Sequence, residues 1–363
     1  MTPPRRSRTA GRISGRVLLC CTVLAAASTP LRADVVTLIE GTTFKQGVGG
    51  AVRGTVQSES PAEVVVLVGV TPIKVPTDQI AQIEYSGQPA SLQLGETRQS
   101  SGQYAEAVVQ YKKAAAEAVG KPFVVQDAQF HEADALAEQA LVEPDQMNEA
   151  KQRLTAFIQA HPGSRYIVAA RANLARLQMH TDDYDGAEAT VAALAKLPNA
   201  SERAAVLKAK ILARRGDHAG AIAELDKLIA ATPDGSTQQR EARLAKAESL
   251  VGDKKYKDAE ALVRQVIAAA PAEDFAAQSS AYNTLGDCLR AASRPRDAVL
   301  AYLHTDLLFS KDKEEHPRAL FQLERLFRQL GNAPRADEFG ERLKKGYPRS
   351  TWATAPGDPA KAS

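Results

Sequence analysis

The residues of this 363-residue chain that could do chemistry are few and scattered. Six histidines stand at His131, His161, His180, His218, His304 and His316. They form no His-Glu-x-x-His pair and no cluster with cysteine at zinc-ligand spacing, so no patterned metal site is encoded. Asp182-Asp183-Tyr184-Asp185-Gly186 has the acid density of a calcium loop but lacks the alternating ligand positions and the distal Glu. Aspartates also suit the turn between two helices, and that is how this stretch reads. Gly47-Val48-Gly49-Gly50 precedes no lysine at phosphate-loop spacing and lacks the third glycine of a dinucleotide fingerprint, so it reads as a hairpin tip. Cys288 falls inside a helical pattern, where a buried small apolar residue is expected rather than a nucleophile. These residues predict a non-enzymatic protein with no catalytic residue, no metal and no cofactor.

With no reaction to position, the elements must present a surface. Aromatics are scarce at 5%, and alanine crowds the middle of the chain, which suits closely packed helices. The formal charge of +3 is set by the N-terminus, where Arg5, Arg6, Arg8, Arg12, Arg16 and Arg32 occur with no acid before Asp34. The remainder holds 40 basic against 43 acidic residues, without the basic excess that phosphate neutralisation needs. Nucleic acid is therefore not expected as a partner.

The same arginines flank the apolar run Val17–Ala27, the pattern of a secretory signal. At about 11 residues the run is shorter than the roughly 20 a membrane-spanning helix requires. Residues 1–33 are expected to be removed, with cleavage after Ala27 or Ala33, giving a periplasmic or extracellular protein without a membrane span. Cys20 and Cys21 leave with that segment, so Cys288 remains alone and no intramolecular disulfide is available.

Residues 34–89 read as β structure. Short runs rich in β-branched residues (35–38, 51–56, 63–68, 80–85) alternate with turn signals at Glu40-Gly41, Gly47 to Gly50, Ser58 to Pro61 and Pro76-Thr77-Asp78. Four or five strands in so short a span predict a small antiparallel β-barrel. The stretch Val75-Pro76-Thr77-Asp78-Gln79-Ile80-Ala81-Gln82-Ile83 resembles the end of SH3-like or Sm-like modules that open secreted bacterial repeat proteins. Sm-like barrels often bind RNA, but six acids against Lys45, Arg53 and Lys74 speak against that here.

Residues 90–350 carry an internal repeat. A marker alanine recurs at Ala107, Ala150, Ala187, Ala221, Ala259, Ala298 and Ala336. Tyr104, Tyr184, His218 and Tyr256 stand three residues before it, and Pro162, Pro233, Pro271 and Pro348 twelve after it. Gly95, Ala175, Ala209, Ala247 and Gly286 supply small residues on the preceding helix. This phase resembles the tetratricopeptide repeat, whose period is about 34 residues. The resemblance implies a mainly α fold: an α-solenoid of about seven helix pairs, with residues 351–363 as a disordered tail. Met147, Pro295 and Ala333 depart from the aromatic position. The string Phe157-Ile158-Gln159-Ala160-His161-Pro162-Gly163-Ser164-Arg165-Tyr166 resembles repeats of periplasmic outer-membrane-assembly lipoproteins and cell-division coordinators, which implies envelope assembly.

The family binds proteins or peptides on a concave wall lined by the first helix of each pair. Its groove positions fall here on Arg176, Arg203, Lys210 and Arg214, then Glu241 and Glu248, then Asn283, Asp287 and Arg290, then Arg318, Arg325 and Arg328. The candidate protein-binding groove is Arg176, Arg203, Lys210, Arg214, Asn283 and Asp287. Two functions remain open at this stage: an extracytoplasmic adaptor, and a structural or assembly component of the envelope that could self-associate. The oligomeric state and the partner are not encoded in any motif.

Overall fold

The computed structural model describes residues 33–354, which lie in one compact unit. The expected signal segment and most of the expected tail lie outside the described residues. Five strands come first: β1 (Asp34–Leu38), β2 (Ala51–Glu59), β3 (Glu63–Val68), β4 (Thr71–Pro76) and β5 (Ile80–Glu84). They pair antiparallel in the order β4-β3-β2-β1-β5. Alternation sorts their side chains: Val64 and Val66 of β3 are fully buried, while Val65 between them is only half-buried. Val36 lies opposite Val52 on one side and Ile83 on the other, so the apolar residues of three strands meet in one core.

The expected barrel is corrected to an open sheet. β4 and β5, joined by one 3-10 turn (Thr77–Gln79), are the two ends of the strand order and do not pair. The nine-residue β2 serves β1 with its first half and β3 with its second, and its register shifts between Val56 and Ser58. That bulge bends the sheet. The flanking strands of five or six residues leave little length for the tilt and stagger that closure demands.

Seven helix pairs follow among the described residues: α1 (Ala90–Ser100) and α2 (Tyr104–Glu117), α3 (Pro122–Val142) and α4 (Met147–Ala160), α5 (Ile167–His180) and α6 (Tyr184–Leu194), α7 (Ser201–Arg214) and α8 (His218–Ala231). Then come α9 (Thr237–Gly252) and α10 (Tyr256–Ala269), α11 (Phe275–Ala291) and α12 (Pro295–Leu308), α13 (Glu315–Gln329) and α14 (Ala333–Gly346). Tyr104, Met147, Tyr184, His218, Tyr256, Pro295 and Ala333 each open the second helix of a pair. Where a closing proline exists, the helix ends two residues before it, at Ala160, Ala231, Ala269 and Gly346, because a residue preceding proline is driven out of the α region.

All seven marker alanines have no solvent exposure. Within a pair, small and large residues are matched. Gly95 and Gly286 face Tyr111 and Tyr302, sixteen residues on, so closely that a Cβ would stand 2.6 and 2.5 Å from the tyrosine rings. Where the first helix carries Ala175, Ala209 or Ala247, the partner at the same spacing is the smaller Val191, Leu225 or Val263. Each interface therefore holds a similar volume, as a close-packed interior requires. Residues 351–354, expected in the tail, instead form a short helix, α15 (Thr351–Thr354), whose Trp352 ring lies 5.3 Å from that of Phe321. Trp352 thereby packs against the middle of α13.

Candidate functional site

Adjacent first helices pack side by side (α3 on α5, α5 on α7, α7 on α9, α9 on α11), which brings their inward faces onto one wall. Arg176 on α5 is half-buried, with Nη1 donating to Glu138 Oε1 of α3 at 3.2 Å. Its other terminal nitrogen donates to Glu314, which lies 138 residues away at the start of α13. Lys210 and Arg214, four residues apart on α7, are exposed and make no hydrogen bond or ion pair among the described residues. Their charges bear on His180 of α5, and that of Lys210 also bears on Glu314. Three expected groove cations thus converge. Arg203, seven residues before Lys210 on α7, is exposed but does not belong to this cluster.

The electrostatics of the cluster follow from crowding. Burial alone would raise the carboxyl of Glu314, but Arg176, His180 and Lys210 outweigh it and hold the group below the usual carboxylate value. Desolvation raises Glu138 to about 7 despite the neighbouring Arg176. His180 reaches solvent yet is hemmed in by protein; loss of hydration first, and Arg176 next, keep its ring below the ordinary imidazole value.

The groove positions on α11 and α13 are spent within the fold. Asn283 has no solvent exposure, and its Nδ2 donates to the main-chain oxygen and Oε2 of Glu315 at 2.8 and 2.7 Å. Asp287 accepts from the Tyr302 hydroxyl at 2.6 Å and pairs with Arg318. Arg290 stands 3.6 Å from the same carboxylate, and Arg318 also pairs with Glu315 at 3.1 Å. Arg328 is shared between Glu324 and Asp337, and the Arg325 guanidinium lies 5.5 Å over the Phe321 ring. Neither Asn283 nor Asp287 is available to a ligand in this arrangement. The acids that balance the basic face are Glu138 and Glu314 rather than the sequence neighbours Glu241 and Glu248, which are exposed on α9.

Sequence reasoning missed Glu138, Glu314 and His180. Glu314 lies in the connection before α13, outside the repeat phase, and no linear pattern relates it to α5. The contact exists because the helix stack returns on itself. Arg349 Nη1 lies 2.9 Å from Glu143 Oε2, Lys313 lies over Gly102, and Val142 packs against the C-terminal hydrophobic cluster. A cavity of about 340 Å³ sits in this seam, lined by Tyr104, Gln139, Glu143, Lys313, Tyr347 and Arg349 among others.

A second polar cluster joins the β strands to the first helices. Arg165, in the connection before α5, is buried between Asp127 (2.8 Å) and Glu59 (3.6 Å), with its guanidinium 3.9 Å over the Tyr166 ring. Glu96, Asp127 and His131 bring three ligand atoms within 4.8 Å of one another beside it. Asp127 already serves Arg165 and Tyr166, and a fixed guanidinium at that distance repels a second cation. In the acidic turn, Asp183 caps α6 by accepting from the Gly186 amide at 3.0 Å, Asp182 accepts from the Tyr184 hydroxyl, and Asp185 pairs with Arg215. Cys288 is 1% exposed, and burial pushes its thiol up to about 12, so it stays protonated. No helix among the described residues is long and apolar enough to cross a membrane.

No family model matches the chain. No curated protein matches it either. Among solved structures, a tetratricopeptide repeat protein from Parabacteroides merdae is similar at 14% identity and a TM-score of 0.48, over 70% of this chain and 91% of that one. PilW, a type IV pilus biogenesis factor, is similar at 18% identity and a TM-score of 0.42, over 62% of this chain and 96% of that one. A Rap protein complexed with competence and sporulation factor is similar at 10% identity and a TM-score of 0.48, over 72% of this chain and 77% of that one. At these identities the similarity is one of fold alone.

Proposed function

The chain folds as a tetratricopeptide-like solenoid behind a small open sheet, and on that premise we propose that it is a non-enzymatic, exported scaffold that binds other proteins through its concave wall. The observation that carries this reading is the pair Lys210 and Arg214, two exposed cations that both bear on His180 and make no hydrogen bond or ion pair among the described residues. Such a face suits a polypeptide segment bearing acidic side chains or a terminal carboxylate, held by charge-assisted hydrogen bonds. Reversing Lys210 and Arg214 together to Glu should weaken binding of an acidic peptide and flatten its salt dependence, with helical circular dichroism unchanged. Undiminished binding with the same salt dependence would remove the reading. Export rests on the residue 1–33 pattern; native protein beginning at Ser28 or Asp34 would support it, and one beginning at Met1 would not.

A second reading, a self-associating envelope component, has its own support in α12. Leu300, Leu307 and Leu308 are 60, 72 and 64% exposed on that helix, and Phe275 nearby on α11 is 58% exposed. Leu300 and Leu307, seven residues apart, lie on one side of α12, and large exposed apolar side chains grouped on a folded surface suit an association face. Molecular mass measured across a concentration series separates the two: an adaptor stays monomeric, whereas the structural component assembles, and Leu307→Lys should then return it to the monomer.

A further inference from the structure

The Arg176 contact is arranged unlike the other polar contacts of the wall. The Asp287–Arg318 ion pair and the Asn283–Glu315 hydrogen bond join neighbouring helix pairs. Glu314 instead crosses from the seventh pair to the third, and its carboxylate enters the field of Arg176 and Lys210, beside His180 and Arg214. The seam around it also carries the Arg349–Glu143 pair, the Lys313 chain over Gly102, and the packing of Val142. A cavity remains between the two sides.

We infer that Glu314 is an internal occupant of the basic cluster, a carboxylate of the chain itself that must be displaced by an acidic residue of the partner, so that binding and opening of the seam are coupled. This rests on the proposed acid-binding role of Lys210 and Arg214. Arg176 already serves Glu138 and Glu314, one through each terminal nitrogen, and a partner acid brought to Lys210 competes with Glu314 for the same positive field while adding like-charge repulsion to it. Leaving is open to Glu314, because it lies in a connection and not within a packed helix. Coupling of this kind is reciprocal, so whatever favours the open seam must also strengthen binding.

The test uses the full chain, a fluorescent penta-glutamate peptide as probe, and hydrogen exchange of the backbone amides. Glu314→Gln keeps the size and removes the charge. It should bind the probe about tenfold more tightly than the parent, and exchange at residues 102–106 and 312–316 should accelerate in the absence of probe. In the parent protein, saturating probe should accelerate exchange in the same two segments, a readout that requires no variant. Unchanged affinity in Glu314→Gln, or parent exchange that probe leaves unaltered, overturns the inference. The basic-wall reading is judged separately by Lys210→Glu with Arg214→Glu: if the parent binds and that variant does not, the wall stands even when the Glu314 result is negative. If neither the parent nor Glu314→Gln binds the probe, the wall reading fails and the inference fails with it.

Discussion

A glycine facing a tyrosine is the smallest unit of this architecture. At Gly286 an added methyl would sit 2.5 Å from the ring of Tyr302, which is fully buried and fixed by its hydroxyl on Asp287. Gly286→Ala is expected to cost roughly 1–3 kcal/mol through overpacking, beyond any gain in helix propensity. Combining it with Tyr302→Val reproduces the Ala247–Val263 pairing of the preceding unit, and the double variant should be more stable than the sum of the two single changes. Urea denaturation of the four proteins of the cycle measures the coupling, and additivity would refute the size-matching argument. Glu138 makes a residue-scale prediction about pH. Its folded value of about 7 lies above the 4.5 of an ordinary glutamate, so between these the folded state holds a proton that the unfolded state does not. Its stabilising contribution is present below about 4.5 and is lost as pH rises through 7. Thermal midpoints should therefore decline from pH 5 to pH 8 more steeply in the parent protein than in Glu138→Gln.

Elements are joined here by two kinds of contact. Helix pairs meet through alanine and leucine, whereas the β strands meet the helices through a shared hydrophobic cluster and, in addition, the buried Arg165 cluster. Burial raises the Glu59 carboxyl, and Arg165 is the largest influence opposing it. Arg165→Ala leaves Glu59 and Asp127 without that charge, and the loss is expected to approach the 3–5 kcal/mol typical of a broken buried pair. Exchange of the β2 and β5 amides should rise selectively, since those strands are anchored at Glu59 and Tyr85. Equal acceleration throughout the solenoid would instead assign Arg165 to the helices alone. At this scale the sequence was largely legible: repeat phase, helix starts and proline stops follow from side-chain size and backbone restriction, which act within a few residues. The open sheet was less so, because strand content says nothing about whether the ends of a sheet meet.

Over the whole molecule, a simple stack of repeats would unfold as neighbouring units with only local coupling. The seam adds contacts between the first three pairs and the last. The chain has one tryptophan, Trp352, which packs on Phe321 beside α13 and so reports on the C-terminal end. Tryptophan fluorescence and far-ultraviolet circular dichroism should give coincident denaturation midpoints in the parent protein. In Glu314→Gln, with the seam weakened, the fluorescence transition should come first. Coincident transitions in both proteins would show that the seam adds nothing to cooperativity.

The amino-acid sequence by itself determined the helix pairs, their number and phase, the small residues at their interfaces, and the basic character of α5 and α7. Each of these depends on residues close together along the chain, where spacing translates directly into a helix face. Only the tertiary structure decided which charges remain free. Asn283 and Asp287 have the right types at the right spacing, yet both are consumed by the neighbouring helix pair. Arg176 is bound by an acid 138 residues away, while Lys210 and Arg214, one helix pair further on, make no ion pair among the described residues. A charge is free or paired according to what lies within a few ångströms of it, and in a stack that turns back on itself those neighbours are set by the accumulated rotation of all the units between them.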